Sequence, residues 1–337
     1  MLCPPPRPCR HWPFWAAIAA LAAVLGLSLL VNLTAVAALS GSLSPSSGEM
    51  GEDEFPRFSE IHSYGSGTAK VVRIWISGVL TRQLDGGWFG PVDPVEDVIR
   101  QIRAARQDDS VAAILLEVDS PGGDVTCADE IHRELQLFKN SRDDRKIVAL
   151  VHDMAASGGY YVALPADRIL AQPTALVGSI GVIMQSLNFR GLSEKIGVTD
   201  TTIKSGRNKD LLNPFQPVDP EQVRLLQLSI DAMHRRFVDL VAQGRNLDRT
   251  AVEPLADGRL FTADEAVANQ LVDAIGYWDD AMAETASLLG EDGVFVVSYQ
   301  IEASFLDHLL GAKSPVPGLR ALLADLAIPR RLFLWRP

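Results

Sequence analysis

The chain has 337 residues, of which 47% are hydrophobic and 22% are charged, so it can bury a full core as one large domain or two small ones. Its 31 basic and 42 acidic residues give a formal net charge of −11, which argues against a nucleic-acid binder. Three cysteines (Cys3, Cys9 and Cys127) and six scattered histidines show no metal-ligand spacing and no disulfide framework, so we expect neither a metal nor another cofactor.

The N-terminal region is predicted to anchor the chain in a membrane. From Phe14 to Leu39 the sequence is almost wholly apolar and uncharged, which is long enough to cross a bilayer of roughly 30 Å. A cleaved signal peptide is the alternative, because Ala-Ala-Leu-Ser near residue 40 resembles a cleavage site. Arg7 and Arg10 precede the apolar segment and acidic residues follow it. The positive-inside rule therefore leaves residues 1–13 in the cytoplasm and predicts a single-pass protein of the cell membrane with an extracytoplasmic body.

Three further segments follow the predicted transmembrane helix at 14–39. Residues 40–65 are rich in Ser and Gly with an acidic cluster, which predicts a flexible linker. Residues 66–300 are predicted to form the folded body, and residues 301–337 a C-terminal tail. In the tail, leucines at helical spacing between Leu319 and Leu326 predict a docked helix followed by a frayed end. The alternative is contact with the membrane surface through the terminal Arg and Trp residues.

Strands and helices alternate along the body. Strands are predicted at 71–80, 113–118, 147–151 and 169–171, and helices at 94–106 and 126–138. Segments 180–184 and 199–203 are predicted as strands on either side of a short helix. After residue 220 the pattern is mostly helical, at 221–243, 263–269 and 278–289. This alternation predicts an α/β fold with a mainly parallel sheet and helical crossovers.

The sequence LEVDSPGGDV, from Leu116 to Val125, places a glycine-rich turn after a buried strand. The two glycines allow the backbone to approach another group closely before the next helix. A phosphate-binding loop is disfavoured, because the segment lacks both the Lys-Ser/Thr ending of a P-loop and the spacing of a dinucleotide fingerprint. One interpretation is a turn that starts a helix, with Asp124 as its N-cap. The functional interpretation is that the N–H groups of Gly123 and Gly158 converge as an oxyanion hole.

The most informative segment is HDMAASGGYYVALPAD, because it places Ser157 between a buried strand and the first turn of a helix. A hydroxyl at this position meets unpaired backbone N–H groups and the positive end of the helix dipole. Those are the conditions for a serine nucleophile whose oxyanion is held by backbone donors. The alternative is that Ser157 is an ordinary N-cap and the glycines only permit a tight turn.

A serine nucleophile needs a base. No histidine lies between Asp153 and Met233, so a histidine base would come from His132, His152, His234 or farther away. A lysine is the other candidate, and the loop IKSGRNKDLLNPF carries Lys204 and Lys209. A lysine of ordinary pKa (~10.4) is protonated at neutral pH, whereas burial or a cationic neighbour can lower the pKa toward ~7–8. Both lysines are otherwise ordinary solvated loop residues.

Five ordered motifs (SPGG, AASGGYY, VGSIGV, KSGxxKD and ADGRLFTADEA followed by LVDAIG) strongly resemble the signal peptide peptidase A family over about 71–297. The resemblance implies a membrane-anchored serine protease with a Ser–Lys dyad and a ClpP/crotonase-like fold. It implies that Ser157 is the nucleophile, Lys209 the general base and Ser179 the hydroxyl that orients the lysine. Gly123 and Gly158 match the oxyanion donors. The chain departs from the family pattern at Asp124 and at Asn269-Gln270, neither of which touches the dyad.

These observations predict an endopeptidase that cleaves signal-peptide remnants or other apolar peptides near the extracytoplasmic face of the membrane. An apolar extended edge from Val177 to Met184 is expected to bind the substrate as an added strand, through Val177, Gly178, Ile180, Gly181 and Val182. Family members with two fused copies take the serine and the lysine from different copies. The resemblance therefore implies a cyclic homo-oligomer with each site shared between subunits. A non-catalytic scaffold and a crotonase-type acyl-CoA enzyme are the alternatives.

Overall fold

The computed structural model describes residues 20–32, 58–82, 93–300 and 332–334, which belong to two separate units divided near residue 52. Residues 20–32 are helical (α1), and their side chains are exposed. Among the described residues, no helix combines the length and the apolar character needed to cross a membrane. The remainder of the predicted transmembrane segment, 14–19 and 33–39, lies outside the described residues.

The second unit is built on strands in the following chain order: β1 Ser59–Tyr64, β2 Ala69–Ser77, β3 Val111–Ser120, β4 Gly122–Asp124, β5 Lys146–Ala156, β6 Arg168–Ala171, β7 Leu176–Gly178, β8 Leu260–Thr262, β9 Ala274–Ile275, β10 Val294–Gln300 and β11 Leu332–Leu334. The main sheet has the order β1-β10-β2-β3-β5-β6-β9, and all its pairs except β1–β10 are parallel. Strand β7 extends the sheet beside the end of β5, and β8 pairs with β7 in antiparallel fashion. The predicted α/β class with a mainly parallel sheet is confirmed.

The helices of this unit are α2 Pro94–Gln107, α3 Val125–Lys139, α4 Gly158–Ala163, α5 Arg190–Ile196, α6 Pro220–Arg245, α7 Arg249–Val252, α8 Ala263–Ala268 and α9 Trp278–Leu289, with a 3₁₀ turn at Glu253–Leu255. Side-chain hydrogen bonds cap the N-termini of some of these helices. The Asp93 carboxylate accepts hydrogen bonds from the first N–H groups of α2, and Thr262 forms a capping box with Glu265 at α8.

The parallel strands bury both faces, because helices cover the sheet on each side. On one face, Ile114 and Leu116 of β3 share a core with residues of α2, α3, α4 and α6. On the other face, Ala113 and Leu115 of the same strand pack with Ala281 and Met282 of α9. Successive side chains of a strand point to opposite faces, so a continuous apolar strand supplies both cores.

Two of the predicted strands are wrong. Segment 180–184 has only an isolated bridging residue, because β7 ends at Gly178 and the next residue, Ser179, has a positive φ of 50° that turns the chain. Segment 199–203 has no regular structure, and Ile203 is 96% exposed. This short segment is mostly polar (TDTTI) and its Ile203 has no layer to pack against, so nothing stabilises a strand here. The predicted short helix between them is present as α5.

Three further observations concern the predicted linker, Cys127 and the predicted tail helix. Residues 59–64 fall inside the predicted linker but form β1, which pairs with β10 at the edge of the sheet. Cys127 is buried in the core, and burial raises the pKa of its thiol to about 11. The predicted helix between Leu319 and Leu326 lies outside the described residues.

His132 of α3 generates a prediction about stability and pH. It is 7% exposed, and burial lowers the pKa of its imidazole to about 4, helped by Arg236 and opposed by Asp129. The unfolded chain, with an imidazole pKa near 6.5, binds this proton more readily than the folded one. The contribution of His132 to stability is therefore present above pH 6.5 and is lost as the pH falls toward 4.

Urea unfolding at pH 7.5 and pH 5.0 measures this effect. We expect the wild type to lose about 2 kcal/mol of unfolding free energy at pH 5.0 through this one group. The variant His132→Phe keeps an aromatic ring but cannot titrate, so its difference between the two pH values should be smaller by a similar amount. An equal pH dependence in both proteins would contradict the assignment.

Candidate active site

Ser157 lies between the end of β5 and the start of α4, in an unusual backbone conformation with φ 54° and ψ −115°. Such a conformation costs a residue with a Cβ on the order of 1–3 kcal/mol, so the surrounding structure must hold it in place. The Ser157 N–H donates to the Gly178 carbonyl at 2.7 Å, and the Tyr161 N–H donates to the Ser157 carbonyl at 2.9 Å. The backbone of Ser157 is thus fixed on both sides.

The hydroxyl of Ser157 has no structural partner of ordinary strength. Ser157 occupies the N-cap position of α4, but its side chain makes no capping hydrogen bond. Among the described residues, the hydroxyl has one hydrogen-bonding contact, with the Gly181 carbonyl at 3.5 Å, at the outer limit of a hydrogen bond. The residue is 1% exposed. The interpretation of Ser157 as a simple N-cap therefore does not fit its geometry.

Gly123 lies in β4, which packs against α4. The Leu80 N–H donates to the Gly122 carbonyl at 2.9 Å, and the Asp124 N–H donates to the Leu80 carbonyl at 2.7 Å. Because alternate residues of a strand direct their backbone groups to opposite sides, the N–H of Gly123 faces away from Leu80. A Cβ at Gly123 would lie 2.1 Å from the Leu80 carbonyl oxygen, so only glycine fits.

Asp124 follows Gly123 at the N-cap position of α3, where the sequence suggested a capping role. Its side chain makes no capping hydrogen bond. Instead, the Thr81 hydroxyl donates to Oδ2 of Asp124 at 2.9 Å. The turn is therefore held by backbone pairing with Leu80 and by this side-chain contact.

The side of β4 that faces away from Leu80 is paired with β11, from the C-terminal tail. Phe333 lies opposite Gly123 in this antiparallel pair, with Leu332 opposite Asp124 and Leu334 opposite Gly122. Residues 332–334 of the tail therefore form a strand, where a frayed end was predicted. An extended segment of the chain occupies the edge of β4 beside α4.

Ser179 is brought close to Ser157 through one backbone link, because the carbonyl that accepts the Ser157 N–H belongs to Gly178. Ser179 is 7% exposed, and its N–H donates to the Arg259 carbonyl at 2.8 Å. Arg259 belongs to the motif ADGRLFTADEA, to which sequence reasoning assigned no role. Its partner is distant in sequence, so no local pattern could have indicated this contact.

The expected substrate-binding edge is shorter than the sequence suggested. Val177 pairs with Ala155 of β5 on one side and with Phe261 of β8 on the other, and Gly178 is likewise paired on both sides. Ile180, Gly181 and Val182 lie beyond the last paired residue; Ile180 is buried and the other two are half-buried. Any free edge on this segment begins after Ser179.

The expected base, Lys209, belongs to a loop and not to the end of a strand of the sheet. It lies between α5 and α6, its side chain is exposed, and its N–H donates to the Gly206 carbonyl at 3.1 Å. Among the described residues, no hydrogen bond joins Lys209 to either serine. Lys204, in the same loop, instead forms an ion pair with Asp210 (Nζ to Oδ1, 2.6 Å). A cavity of about 580 Å³ opens beside this ion pair, and Ser157 is not among the residues that line it.

The candidate histidine bases are engaged elsewhere. Nε2 of His152 contacts Oε2 of the buried Glu117 at 2.7 Å, and its Nδ1 contacts the Gln172 amide at 2.9 Å. Nε2 of His234 contacts the Ala256 carbonyl at 2.9 Å. His132 packs edge-on against the ring of Tyr161. Within the described ranges, no cluster of histidine, cysteine and acidic side chains is arranged to hold a metal ion.

Comparison with known proteins identifies the family of this chain. The family model Peptidase family S49 matches residues 139–291. A protein of Enterococcus faecium that carries the name signal peptide peptidase SppA is 36% identical over 267 residues, covering 78% of this chain and 77% of that relative. Protease 4 of Salmonella typhi is 35% identical over 67% of this chain, and the chloroplastic serine protease SPPA of Arabidopsis thaliana is 34% identical over 69%.

The chain spans 36% of the length of the Salmonella protein and 35% of the Arabidopsis protein. Among solved structures, a ClpP1 variant from Listeria monocytogenes aligns over 64% of this chain and 94% of its own, with a TM-score of 0.40 and 17% sequence identity. The identity to the Enterococcus protein, over most of the length of both chains, shows that this chain belongs to peptidase family S49, the signal peptide peptidase A family, and is a serine endopeptidase.

Proposed function

We propose that this endopeptidase is anchored in a membrane, that Ser157 is its nucleophile and Lys209 its general base, and that it cleaves signal-peptide remnants or other apolar peptides at the extracytoplasmic face. The observation that carries the proposal is the state of Ser157, whose strained backbone is held on both sides while its hydroxyl caps no helix. Strain maintained by the surrounding structure is typical of functional sites, and a hydroxyl without a structural partner is available for attack.

In the proposed reaction, Oγ of Ser157 attacks the carbonyl carbon of the scissile peptide and gives its proton to the neutral amine of Lys209. The N–H groups of Gly123 and Gly158 hold the oxyanion that forms. The lysine, now an ammonium, protonates the leaving amine as the acyl-enzyme forms. A water molecule then gives a proton to the same lysine and attacks the ester carbonyl. The lysine returns that proton to Oγ of Ser157 as the ester bond breaks and the acyl group leaves as a carboxylic acid.

The position of Ser179 supports its proposed role in orienting the lysine. Its backbone is fixed by the hydrogen bond to Arg259, and the preceding residue, Gly178, holds the N–H of Ser157. The two hydroxyl groups therefore belong to segments that cannot move independently. A lysine amine placed between the two hydroxyl groups would accept the proton of Ser157 and would be held in position by a hydrogen bond with Ser179.

We propose that the lysine comes from a neighbouring subunit in a cyclic homo-oligomer. The segment that carries Lys209 is exposed in one chain and presents many large apolar side chains to solvent: Ile183, Leu187, Phe189, Leu192, Ile196, Val198, Ile203, Phe215 and Val218. An exposed apolar surface of this extent is typical of a protein–protein contact. A head-to-tail contact between copies would cover it and close into a ring if the rotation per subunit divides a full turn.

The membrane anchor is proposed for the apolar segment 14–39. Its described part, 20–32, is helical and exposes Leu21, Val24 and Leu25, among others, on all sides. A helix that is apolar all round is stable either inside a protein core or in a lipid bilayer. The positions of Arg7 and Arg10 favour a cytoplasmic N-terminus and an extracytoplasmic body.

We also propose that the fold is ClpP/crotonase-like, as the resemblance to the signal peptide peptidase A family implies.

For the substrate, we propose an extended peptide that adds to the edge of β4 and runs past Ile180 and Val182. The N–H of Gly123 faces this edge, so a peptide paired there has its backbone beside Ser157. The pairing of β11 with β4 supports the idea, because it has the geometry that an antiparallel peptide would need. Apolar side chains near the nucleophile favour substrates that are themselves apolar.

The variant Ser157→Ala tests the nucleophile. It removes the attacking oxygen without adding volume, so peptide hydrolysis and covalent labelling by a fluorophosphonate should both disappear while the thermal midpoint stays within a few degrees. Ser193→Ala is the matched control, since Ser193 is a buried serine whose hydroxyl contacts only the Arg190 carbonyl. Labelled Ser157→Ala protein would refute the proposed role.

The shared site is tested by mixing two inactive proteins. Ser157→Ala and Lys209→Ala should each be inactive alone, whereas their mixture under subunit exchange should recover roughly a quarter of wild-type activity at equal amounts, from random pairing at head-to-tail contacts. Lys204→Ala, in the same loop, is the control that should stay active. Confirmed exchange without recovery at any ratio would place both groups in one subunit.

The tail generates a further prediction, because β11 occupies the edge of β4 that the proposed substrate needs. Deleting residues 332–337 should lower KM for a short apolar peptide and leave kcat nearly unchanged. If the strand is docked about 90% of the time, its removal lowers the apparent dissociation constant about tenfold. Initial-rate kinetics measure this, and an unchanged KM would mean that the strand and the peptide do not compete.

A further inference from the structure

Two adjacent tyrosines hold α4, the short helix that follows Ser157, from different sides. The Tyr160 hydroxyl donates to the Leu271 carbonyl at 2.7 Å, and the Tyr161 hydroxyl donates to Oδ1 of Asp129 at 2.5 Å. Both rings are almost completely buried, at 0% and 1% exposure. Each tyrosine therefore connects α4 to a different part of the fold through the hydroxyl group at the end of a rigid ring.

Tyr161 is also connected directly to the proposed nucleophile. Its backbone N–H donates to the Ser157 carbonyl at 2.9 Å and so closes the first turn of α4. The same residue thus contacts Ser157 through its backbone and Asp129 through its side chain. Because the phenol ring is rigid and tightly packed, a displacement of the ring shifts the backbone of Ser157 by a similar distance.

Asp129 of α3 receives a second partner from α6. Nε and Nη2 of Arg236 donate to the same Oδ1 atom at 3.0 and 2.6 Å. Burial raises the pKa of Asp129, but the bonds from Tyr161 and Arg236 outweigh that effect and hold the pKa below its ordinary value. One ionised carboxylate oxygen therefore joins α3, α4 and α6.

The third element of this contact, α6, begins directly after the segment that carries Lys209. Phe237, the neighbour of Arg236, packs its ring 5.1 Å from that of Tyr161, so α6 is fixed to α4 by an ion pair and by ring packing. Asp129 therefore joins α6 to α4, the helix that follows Ser157.

We infer that Asp129 is a positioning residue for the peptidase reaction: it fixes the backbone of Ser157 through Tyr161, and Arg236 holds its carboxylate in place. The Tyr161 ring is almost fully buried, so we expect this contact to act on the chemical step and not on substrate binding. A misplacement of about 1 Å can lower a rate by up to about a hundredfold, which makes kcat the sensitive quantity. The inference rests on the proposed role of Ser157.

The test compares Tyr161→Phe with Tyr160→Phe in the full-length protein. Each variant removes one buried phenolic hydroxyl from the same helix and leaves the ring in place. We expect Tyr161→Phe to lower kcat and the rate of fluorophosphonate labelling about tenfold with KM within about twofold, by loss of alignment. Tyr160→Phe should change neither by more than about twofold at a similar fall in thermal midpoint. Equal kinetic losses in the two variants would reduce Tyr161 to a structural role and overturn the inference.

Arg236 offers a variant with little risk to folding, because its side chain is 58% exposed. Arg236→Gln should lower kcat at unchanged KM and thermal midpoint, and Arg236→Lys, which keeps the charge, should restore part of the loss. The double variant Asp129→Asn/Tyr161→Phe should be no slower than the slower single variant, because both disrupt one unit. Wild-type kcat in Arg236→Gln, or additive losses in the double variant, would overturn the inference.

Ser157→Ala, assayed in parallel, distinguishes failure of the positioning role from failure of the proposed nucleophile. If that variant is unlabelled and Tyr161→Phe behaves as wild type, only the positioning role fails. If Ser157→Ala is still labelled, the nucleophile itself is misassigned, whatever the tyrosine variants do.

Discussion

The proposed active site depends on one constrained backbone position, Ser157. Its positive φ is unfavourable for serine, and it persists because two hydrogen bonds fix the residue from opposite sides. One bond requires the pairing of β5 with β7, which brings the Gly178 carbonyl to the end of β5. The other requires α4 to begin at once, so that Tyr161 closes its first turn. Much of the surrounding structure can be understood as support for these two contacts.

The parallel sheet explains why the remaining groups gather at the same place. Carboxyl ends of parallel strands meet at one edge, and loops leaving that edge converge. Strand β3 leads into β4 with Gly123, β5 leads to Ser157, and β7 leads to Ser179. Ser120 of β3 pairs with Ala155 of β5, and Ala156 of β5 pairs with Gly178 of β7, so the ends of these three strands are aligned. The segment that carries the proposed base, Lys209, lies between α5 and α6 and does not follow directly from one of these strand ends.

The central elements were predictable because their signals are local. Fully buried parallel strands appear as continuous apolar runs, and helix α9 was predicted with its observed bounds, Trp278–Leu289. The serine and the glycines of the site were recognisable from the strand–turn–helix pattern around them. Strands β1, β8 and β10 were not predicted, because each is specified by a partner far away in sequence. The same limit applies to the Arg259–Ser179 bond and to the junction at Asp129.

The position of β10 has a consequence for the order in which the molecule is completed. Although β10 follows every other strand of the main sheet in sequence, it lies between β1 and β2, and the described partner of β1 is β10. A chain emerging from its N-terminus therefore carries Ser59–Tyr64 as an unpaired strand until residues 294–300 arrive. Strand pairing over such a separation in sequence is slow. Polar side chains such as Glu60 and His62 make the unpaired β1 segment a poor template for aggregation in the meantime. The sheet of this peptidase can close only when synthesis of the whole domain is finished.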